Sequence, residues 1–393
     1  MKDLFYLSLQ YIRHHKIKLL ILTIAITLIS WLPIAIQMIV DQTAEQLLSR
    51  ADNTPLVIGA PGSPLELSLG SLYFRSQPPK PIKYAEVSKV DSTGYARAIP
   101  LYFRFHAQGY PIVGTSPDYF NFRKHQLESG RHVALLGEAV IGAGIAQAMH
   151  LQVGDHIISS PESVFDIAGV YPLKMPVVGI LKTSFSPDDK AIFVDIKTAW
   201  IIQGKGHGHQ DLSSKNAMGQ VLKKEGSNIV ANASVRQYNE ITADNIESFH
   251  FHGDISEHPL SAIIPVTKNK KSEVLLLGIY REERDDVQIV RSQQVIKELL
   301  KTVFTVRDYI VVGIAIVAIA TGTIAMLVFF LSLRLRQGER FTLARIGASH
   351  LQIYFLMAIE IISVILVSAF FSGLLIIATN QFGIQLLQQL LTS

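Results

Sequence analysis

The sequence predicts an α+β membrane protein in which three transmembrane helices carry a large extracytoplasmic α/β domain, inserted between helices 1 and 2 on a helical stalk. First, residues 19–40, 309–331 and 354–378 form three apolar runs, and a helix needs roughly 20 such residues to cross a bilayer. Second, a long segment of ordinary soluble composition separates the first two runs. Third, short basic segments flank the runs and orient the chain, because Arg- and Lys-rich loops remain in the cytoplasm.

The first apolar run follows a basic segment, residues 1–18. The spacing of Phe5, Leu9 and Ile12 predicts an amphipathic helix on the cytoplasmic membrane surface. A cleaved signal peptide is the alternative, but its apolar core is usually about 7–15 residues long and ends at an A-x-A-like site. The run here is longer, so we interpret residues 19–40 as an uncleaved anchor.

The second and third apolar runs are joined by a short basic link, residues 332–353, with four arginines against one acid, Glu339. The positive-inside rule places this link in the cytoplasm, with the N-terminus. Residues 41–308 are then periplasmic, and a chain with three spans ends on the periplasmic side. The tail, residues 379–393, has glutamines opposite a Leu/Ile face and is predicted to be an amphipathic helix at the membrane surface.

The periplasmic segment is predicted to begin and end with helices that continue the membrane spans as a stalk, because apolar residues keep a helical spacing there without a breaker. Between these helices, β-rich runs bounded by Gly, Pro and Asp predict short strands. We expect a core lobe at about 55–202 and a second lobe at about 203–284. Within the core lobe, residues 138–149 are predicted to form a helix.

Composition and missing motifs exclude several functions. The chain has no cysteine, so the periplasmic domain must be stabilised by its own core. The net charge is only +4 and the basic excess lies beside the membrane spans, so no nucleic-acid partner is predicted. The sequence has no Walker A motif, no catalytic residues are assigned, and any ATP hydrolysis is expected in a separate ATPase subunit.

The cytoplasmic link is the candidate site for coupling to such an ATPase. It combines charged residues, apolar residues and a turn, and the candidate residues are Arg336, Glu339, Arg340, Phe341, Leu343, Arg345 and Gly347. The alternative is that the arginines only obey the positive-inside rule. That alternative explains neither Glu339 nor the turn at residues 347–349, which is predicted to restart a helix.

Glu360 is the one carboxylate in the three apolar runs. An unpaired charge at mid-membrane costs roughly 2–3 kcal/mol, and less near the interface. We predict a structural role for Glu360, paired with the Arg334/Arg336 end of the preceding span. A proton-relay role is the alternative, but no second acid or histidine within the runs supports it.

Two histidine clusters lie in the predicted second lobe, and the candidate metal ligands are His207, His209, His250, His252, Asp254 and His258. On an extended segment, the two imidazoles of an H-x-H motif lie on one face and can chelate a borderline metal such as Zn²⁺. The alternative is a pair of exposed loops with incidental histidines.

The link RQGERFTLARIGAS resembles that of the MacB/FtsX/LolC-type permeases, the mechanotransmission (type VII) ABC transporter subunits. The matching residues are Arg336, Glu339, Leu343, Ala344, Arg345, Gly347, Ala348 and Ser349. The periplasmic segments GTSPDYF, LESGR, GEAVIGAGIAQAMHLQVGD and MPVVGILKTSFSPDDKAIFVDI are similar to the periplasmic core domain of that family. The family usually has four spans, so this chain departs from it in having three.

The resemblance implies a permease subunit in the bacterial inner membrane that transmits ATP-driven movement to a periplasmic process, such as export, lipoprotein release or metal handling. The implied partners are a cytoplasmic ABC ATPase, a second permease copy or another membrane subunit, and a periplasmic or outer-membrane lipoprotein. The alternative function is a membrane-anchored periplasmic zinc-binding module or sensor, and Zn²⁺ is the only cofactor predicted for the chain itself.

Overall fold

The computed structural model divides the chain into two units. One unit combines Met1–Ser49 with Lys297–Ser393, and the other is Arg50–Ile296. The structure describes residues 6, 10, 13, 14, 16–74, 80–160, 172–208, 221–225, 228–231, 239–282, 285–335, 337–345 and 347–390. Most of the predicted N-terminal amphipathic helix, including Phe5, Leu9 and Ile12, lies outside the described residues.

The described helices alternate with the strands in the second unit and dominate the first. The α-helices are α1 (Lys16–Asp52), α2 (Pro64–Tyr73), α3 (Ala85–Ser92), α4 (Asp118–Arg123), α5 (Ala143–Met149), α6 (Ile196–Ile202), α7 (Lys270–Glu282), α8 (Ser292–Leu335), α9 (Gln337–Arg345) and α10 (His350–Leu390). Short 3-10 helices cover Pro187–Lys190, Ile246–Ser248 and Ile255–Glu257.

The described strands all lie in the second unit. They are β1 (Leu56–Gly59), β2 (Ile82–Lys83), β3 (Ala96–Ala107), β4 (Tyr110–Thr115), β5 (Leu127–Gly130), β6 (Ala139–Ile141), β7 (His156–Ile158), β8 (Leu173–Leu181), β9 (Ile192–Asp195), β10 (Gly206–Gly208), β11 (Val221–Glu225), β12 (Asn228–Ala231), β13 (Asn239–Glu240), β14 (Phe249–Phe251), β15 (Pro259–Leu260), β16 (Ala262–Thr267) and β17 (Gln288–Arg291).

A mixed sheet forms the centre of the second unit, with strand order β13-β8-β6-β9-β4-β3-β16-β1-β17, and β5 and β7 also pair with β8. The pairs β4–β9, β6–β8 and β8–β13 are parallel, and the other pairs in this sheet are antiparallel. Its core is aliphatic and aromatic, with Trp200 and Tyr102 among the largest fully buried side chains. The unit is therefore the mixed α/β domain that the sequence predicts.

Two regions of this unit differ in detail from the sequence prediction. The segment predicted to be helical from residue 138 begins with a strand, β6, whose three residues are fully buried between β8 and β9, and the helix α5 begins only at Ala143. Periodicity cannot distinguish a buried strand from a helix in a short apolar run. Here the backbone pairs with β8 on one side and β9 on the other, which makes this segment a strand. The predicted second lobe contains β16, which the structure places between β3 and β1 in the large sheet.

Three helices are long and apolar enough to cross a membrane, over Lys16–Asp52, Ser292–Ser332 and Leu351–Gly383. They agree with the three predicted spans. The third helix, α10, continues without a break to Leu390. Residues 379–390 of the predicted surface tail therefore extend the membrane helix. Residues 391–393 lie outside the described residues.

Polar contacts join the three long helices within the first unit. Those between α1 and α10 include Lys18–Glu360 at 2.9 Å, Trp31–Thr379 at 3.0 Å and Gln42–Asn380 at 2.9 Å. Those between α1 and α8 are Lys18–Ser332 at 2.9 Å and Asp41–Arg307 at 2.9 Å. As the residue number in α1 increases, that of the contact partner increases in α10 and decreases in α8. The helix α8 is therefore antiparallel to α1 and α10, as expected for three successive spans.

Candidate functional site

The predicted coupling link forms a short helix between two long ones. The helix α9 ends at Arg345, whose guanidinium lies 4.5 Å from the centre of the Phe341 ring, one helical turn earlier. Gly347 then has a φ of +96°, a conformation in which a side chain would be strained. The chain therefore turns sharply here, and α10 begins at His350.

A capping box starts the third membrane helix. The Ser349 hydroxyl accepts a hydrogen bond from the Gln352 amide at 3.3 Å, and the Gln352 side-chain oxygen accepts one from the Ser349 amide at 2.9 Å. This reciprocal arrangement satisfies amides that lack partners at a helix start. The predicted turn and helix restart at residues 347–349 are confirmed.

The coupling residues whose side chains are described are exposed. Phe341 is 61% exposed, and Arg345 is also on the surface. Arg336 lies outside the described residues, as do the side chains of Glu339, Arg340 and Leu343, although their backbone forms part of α9. An exposed aromatic ring beneath an arginine, on a helix bounded by a sharp turn, offers a surface on which another protein can dock.

The structure gives Glu360 a partner that the sequence analysis did not predict. Its carboxylate lies 2.9 Å from Lys18 Nζ of α1, and the same ammonium donates to Ser332 of α8. Glu360 is only 6% exposed. The ion pair neutralises a charge among the apolar helices and joins α1 to α10.

Three of the predicted metal ligands lie together. His207 and His250 are opposite one another on the antiparallel strands β10 and β14, and His252 follows two residues after His250. The ring centres of the three imidazoles are 4.7–5.0 Å apart. One ligand nitrogen from each lies within 4.8 Å of the other two. Among the described residues, these three histidines form the group whose geometry can hold a metal ion.

The local sequence explains why the histidines share a face. A Cβ at Gly206 would lie 2.9 Å from the Phe251 ring, and one at Gly208 would lie 2.6 Å from the Phe249 ring. The glycines thus leave room for the two phenylalanines, which pack against the hydrophobic core. Because side chains alternate along a strand, the histidines between them project from the opposite face.

The other predicted ligands have different roles or lie outside the described residues. His258 is buried, with its ring centre 4.8 Å from that of Trp200 and Nδ1 3.1 Å from the Asp254 carbonyl oxygen. The Asp254 side chain accepts a hydrogen bond from the Ser256 amide at the start of a 3-10 helix. Neither belongs to the three-histidine group. His209 lies outside the described residues.

A buried polar network that the sequence analysis missed lies at the end of α1. Arg50 and Asp188 form a bidentate salt bridge with N–O distances of 2.8 and 2.9 Å. Arg50 also donates to the Leu72 carbonyl oxygen, and the Tyr119 hydroxyl donates to Asp188 at 2.7 Å. His125 Nε2 lies 3.0 Å from the same carboxylate. Asp188 is 1% exposed, so all these contacts are shielded from water.

The charges of this network are stabilised by one another. Burial by itself would raise the pKa of Asp188, but the attraction of Arg50 and the hydrogen bonds from His125 and Arg50 hold it well below its usual value. Burial by itself would lower the pKa of Arg50, but the attraction of Asp188 more than offsets this effect, so the pKa of Arg50 is raised above its usual value. Burial beside Asp188 raises the pKa of Tyr119 to about 12. The pair is therefore ionised at neutral pH.

Comparison with known proteins assigns the chain to a family. Residues 19–240 match the MacB-like periplasmic core domain, which covers more than half of the sequence. The chain belongs to this family and is a MacB/FtsX-type membrane permease component of an ABC transporter, as the resemblance in the link indicates. No curated protein matches the sequence significantly.

The solved structures that are similar to this chain include two transporter domains. The periplasmic region of MacB from Actinobacillus actinomycetemcomitans is 10% identical, with a TM-score of 0.35, and the match covers 64% of this chain and 97% of that one. The extracellular domain of the noncanonic ABC-type transporter YknZ from Gram-positive bacteria is 10% identical, with a TM-score of 0.31, covering 60% of this chain and 98% of that one.

We expect the substitution Asp188→Asn to destabilise the periplasmic domain by about 3–5 kcal/mol, because it leaves a buried guanidinium without its counter-charge. The measurement is thermal unfolding followed by fluorescence of the buried Trp200, in a Trp31→Phe background that removes the other tryptophan. The control is Asp118→Asn, which breaks a more exposed pair with Arg97 and is expected to cost less than about 1 kcal/mol. Equal losses in the two variants would contradict the prediction.

The stabilisation by Asp188 is expected to depend on pH. Because its pKa in the folded state is depressed, its contribution is present above the unfolded pKa of about 4 and is lost as the pH falls towards the folded value. The difference in unfolding free energy between wild type and Asp188→Asn should be constant from pH 6 to 7 and shrink below about pH 4. A difference that stays constant down to pH 3 would show that Asp188 does not titrate in this way.

Proposed function

We propose that this chain is the permease subunit of an ABC transporter that couples ATP hydrolysis by a separate cytoplasmic ATPase to movement of its periplasmic domain. The observation that carries the proposal is the continuity of two helices. The helix α1 has 37 residues and α8 has 44, and the boundary between the two units falls inside each of them. Both helices are thus shared by the membrane unit and the α/β domain.

Helix length supports a mechanical role. At 1.5 Å per residue, α1 is about 55 Å long and α8 about 66 Å, whereas the hydrocarbon core of a bilayer is about 30 Å thick. Each helix therefore extends well beyond the membrane. Pro33 lies within the apolar run of α1 and removes one backbone hydrogen bond there, whereas α8 contains no proline and its helical backbone is uninterrupted. Such a helix resists bending, so a displacement at one end reaches the other.

The Arg50–Asp188 salt bridge provides the attachment at the periplasmic end. Arg50 lies in the last turn of α1, and Asp188 belongs to the 3-10 turn that precedes strand β9 of the large sheet. A bidentate, buried pair has a fixed geometry, which a flexible surface contact lacks. Movement of α1 along its axis would therefore pull directly on the sheet.

The cytoplasmic end is the link between α8 and α10. We propose that α9 docks on the ATPase through Phe341 and the surrounding charges, and that the Gly347 turn and Ser349 cap transmit its position to α10. ATP-driven closure of the ATPase would bring this link towards the corresponding link of its partner, which is a second copy of this chain or another membrane subunit. The permease would sit in the bacterial inner membrane, with the N-terminus cytoplasmic and the C-terminus periplasmic.

The spans favour work on a periplasmic process over transport through the chain itself. The three apolar runs contain one charged residue, Glu360, and it is engaged by Lys18. A polar solute or ion needs a pathway lined by polar or charged groups. Export with an outer-membrane partner, lipoprotein release through a periplasmic partner, and metal handling are the processes that this layout suits.

We test the coupling proposal with a charge exchange in the link, Glu339→Arg combined with Arg345→Glu. The exchange keeps the net charge of the link, so the positive-inside signal and the topology are retained. The wild-type protein, purified from native membranes in mild detergent, should carry an ATPase with a Walker A motif, and the variant should lose most of it. ATP hydrolysis by the purified sample should fall in parallel.

The control for this experiment is a second charge exchange outside the link, Glu298→Lys with Lys301→Glu. Both residues lie on α8 and are exposed. This variant should retain the ATPase at the wild-type level. If the wild-type protein carries no ATPase, the coupling proposal fails, and a metal-binding module or sensor becomes the better hypothesis.

The proposed topology predicts which positions an impermeant thiol reagent can reach. Because the chain has no cysteine, single cysteines can be introduced without removing native ones. We expect Ser92→Cys and Ser393→Cys to be labelled in intact spheroplasts, and Gln337→Cys to be labelled only after the membrane is permeabilised. Labelling of position 337 but not 92 in intact spheroplasts would reverse the orientation, and protection of position 393 would overturn the periplasmic C-terminus.

A further inference from the structure

We propose that His207, His250 and His252 bind one borderline divalent metal ion, of which Zn²⁺ is the reference case. The three imidazoles come from two paired strands, and their ligand nitrogens lie within 4.8 Å of one another. With Zn–N bonds of about 2.0–2.1 Å, tetrahedral ligands are separated by about 3.3 Å. We expect rotation of the imidazole side chains to close this difference when the metal binds.

The backbone beneath the site is held in place. The pairing of β10 with β14 continues one residue further, where the His252 amide donates to the Lys205 carbonyl oxygen at 3.1 Å. On the other face, Phe251 packs with its ring centre 6.2 Å from that of the buried Trp200. The histidines thus stand on a two-stranded ribbon that is anchored to the core, so less entropy is lost when a metal collects them.

A hydrogen bond sets the tautomer of one ligand. His250 Nδ1 lies 3.2 Å from the Ser248 carbonyl oxygen, which can only accept. Nδ1 must therefore carry the proton, and Nε2 is the nitrogen with the lone pair. Zinc-binding histidines are typically oriented in this way, by a carbonyl or carboxylate on the nitrogen that does not bind the metal.

The described residues supply three of the four ligands of a tetrahedral site. Water or a further donor would complete it. His207 and His252 are exposed, and His250 is half-buried. A solvent-accessible site exchanges its metal more readily than a buried structural one. The site therefore suits reversible binding or delivery of the metal, or its recognition as a signal.

This inference stands apart from the transport proposal, because it depends on neither the ATPase nor the membrane spans. Calorimetric titration of the full-length protein in detergent with Zn²⁺ should show saturable binding of one ion per chain. The protein must carry an affinity tag other than polyhistidine. Each of His207→Gln, His250→Gln and His252→Gln should weaken binding at least about tenfold, since even the loss of an outer-shell partner costs 10–100-fold.

A matched control and a second readout distinguish this site from adventitious binding. His156→Gln removes an exposed histidine on strand β7, outside the group, and should leave the affinity unchanged. Zn²⁺ at about a hundredfold excess over Kd should raise the Tm of the wild-type domain by roughly 5–10 °C, but not that of the variants. Because His207 and His252 are exposed, their Gln variants should have the wild-type Tm in the absence of metal.

Cobalt reports on the geometry of the site. Co²⁺ bound by three imidazoles in a tetrahedral site gives intense visible absorption, whereas octahedral Co²⁺ in water is nearly colourless. The wild-type protein should show this absorption, and His207→Gln with His250→Gln should not. The proposal is overturned if the wild-type protein binds no stoichiometric Zn²⁺, or if the double variant binds it as tightly as wild type.

Discussion

The buried ion pair between Arg50 and Asp188 is the interaction on which the connection between helix and sheet depends. A lone guanidinium or carboxylate would be strongly disfavoured at this depth, so each side chain holds the other in place. Tyr119 and His125 also donate to the Asp188 carboxylate, and Arg50 donates to the Tyr119 hydroxyl, which leaves little freedom for either charge. Replacing a buried ion pair with apolar groups of similar volume is often neutral or stabilising, so the distinctive contribution of this pair is its fixed bidentate geometry.

The membrane places a related constraint on the three long helices. Lipid does not compete for hydrogen bonds, so side chains such as Trp31 and Thr379 satisfy one another across the helix interface. The Lys18–Glu360 pair lies at one end of this series of contacts and the Asp41–Arg307 pair near the other. The two ion pairs set the axial register between α1 and its neighbours. A shift of α1 along its two neighbours would separate both pairs at once, so the three helices are suited to move as one body.

The sequence predicted those features that depend on local patterns. The spans follow from apolar length, the helix restart at Ser349 from turn and cap residues, and the shared face of His250 and His252 from the period of a strand. It did not predict the partners of Glu360 or Asp188, because Lys18 and Arg50 are separated from them by 342 and 138 residues. The only local signal at Asp188 is a Ser-Pro-Asp turn, which is common in ordinary loops. Long-range pairing of charges is decided by the fold and cannot be read from spacing.

The same distinction explains the histidines. Spacing alone places His250 and His252 on one face, but it leaves open whether the other histidine segment meets them. Gly206 and Gly208 pair with Phe251 and Phe249 on the neighbouring strand, and the phenylalanine rings need the space beside the glycines on the core side. His207 lies between the two glycines, so this pairing brings it to the side of His250 and His252. The imidazoles are then forced to the outer face together. Packing requirements on one side of the ribbon therefore assemble a potential metal site on the other, and this constraint becomes visible only when the register of the two strands is known.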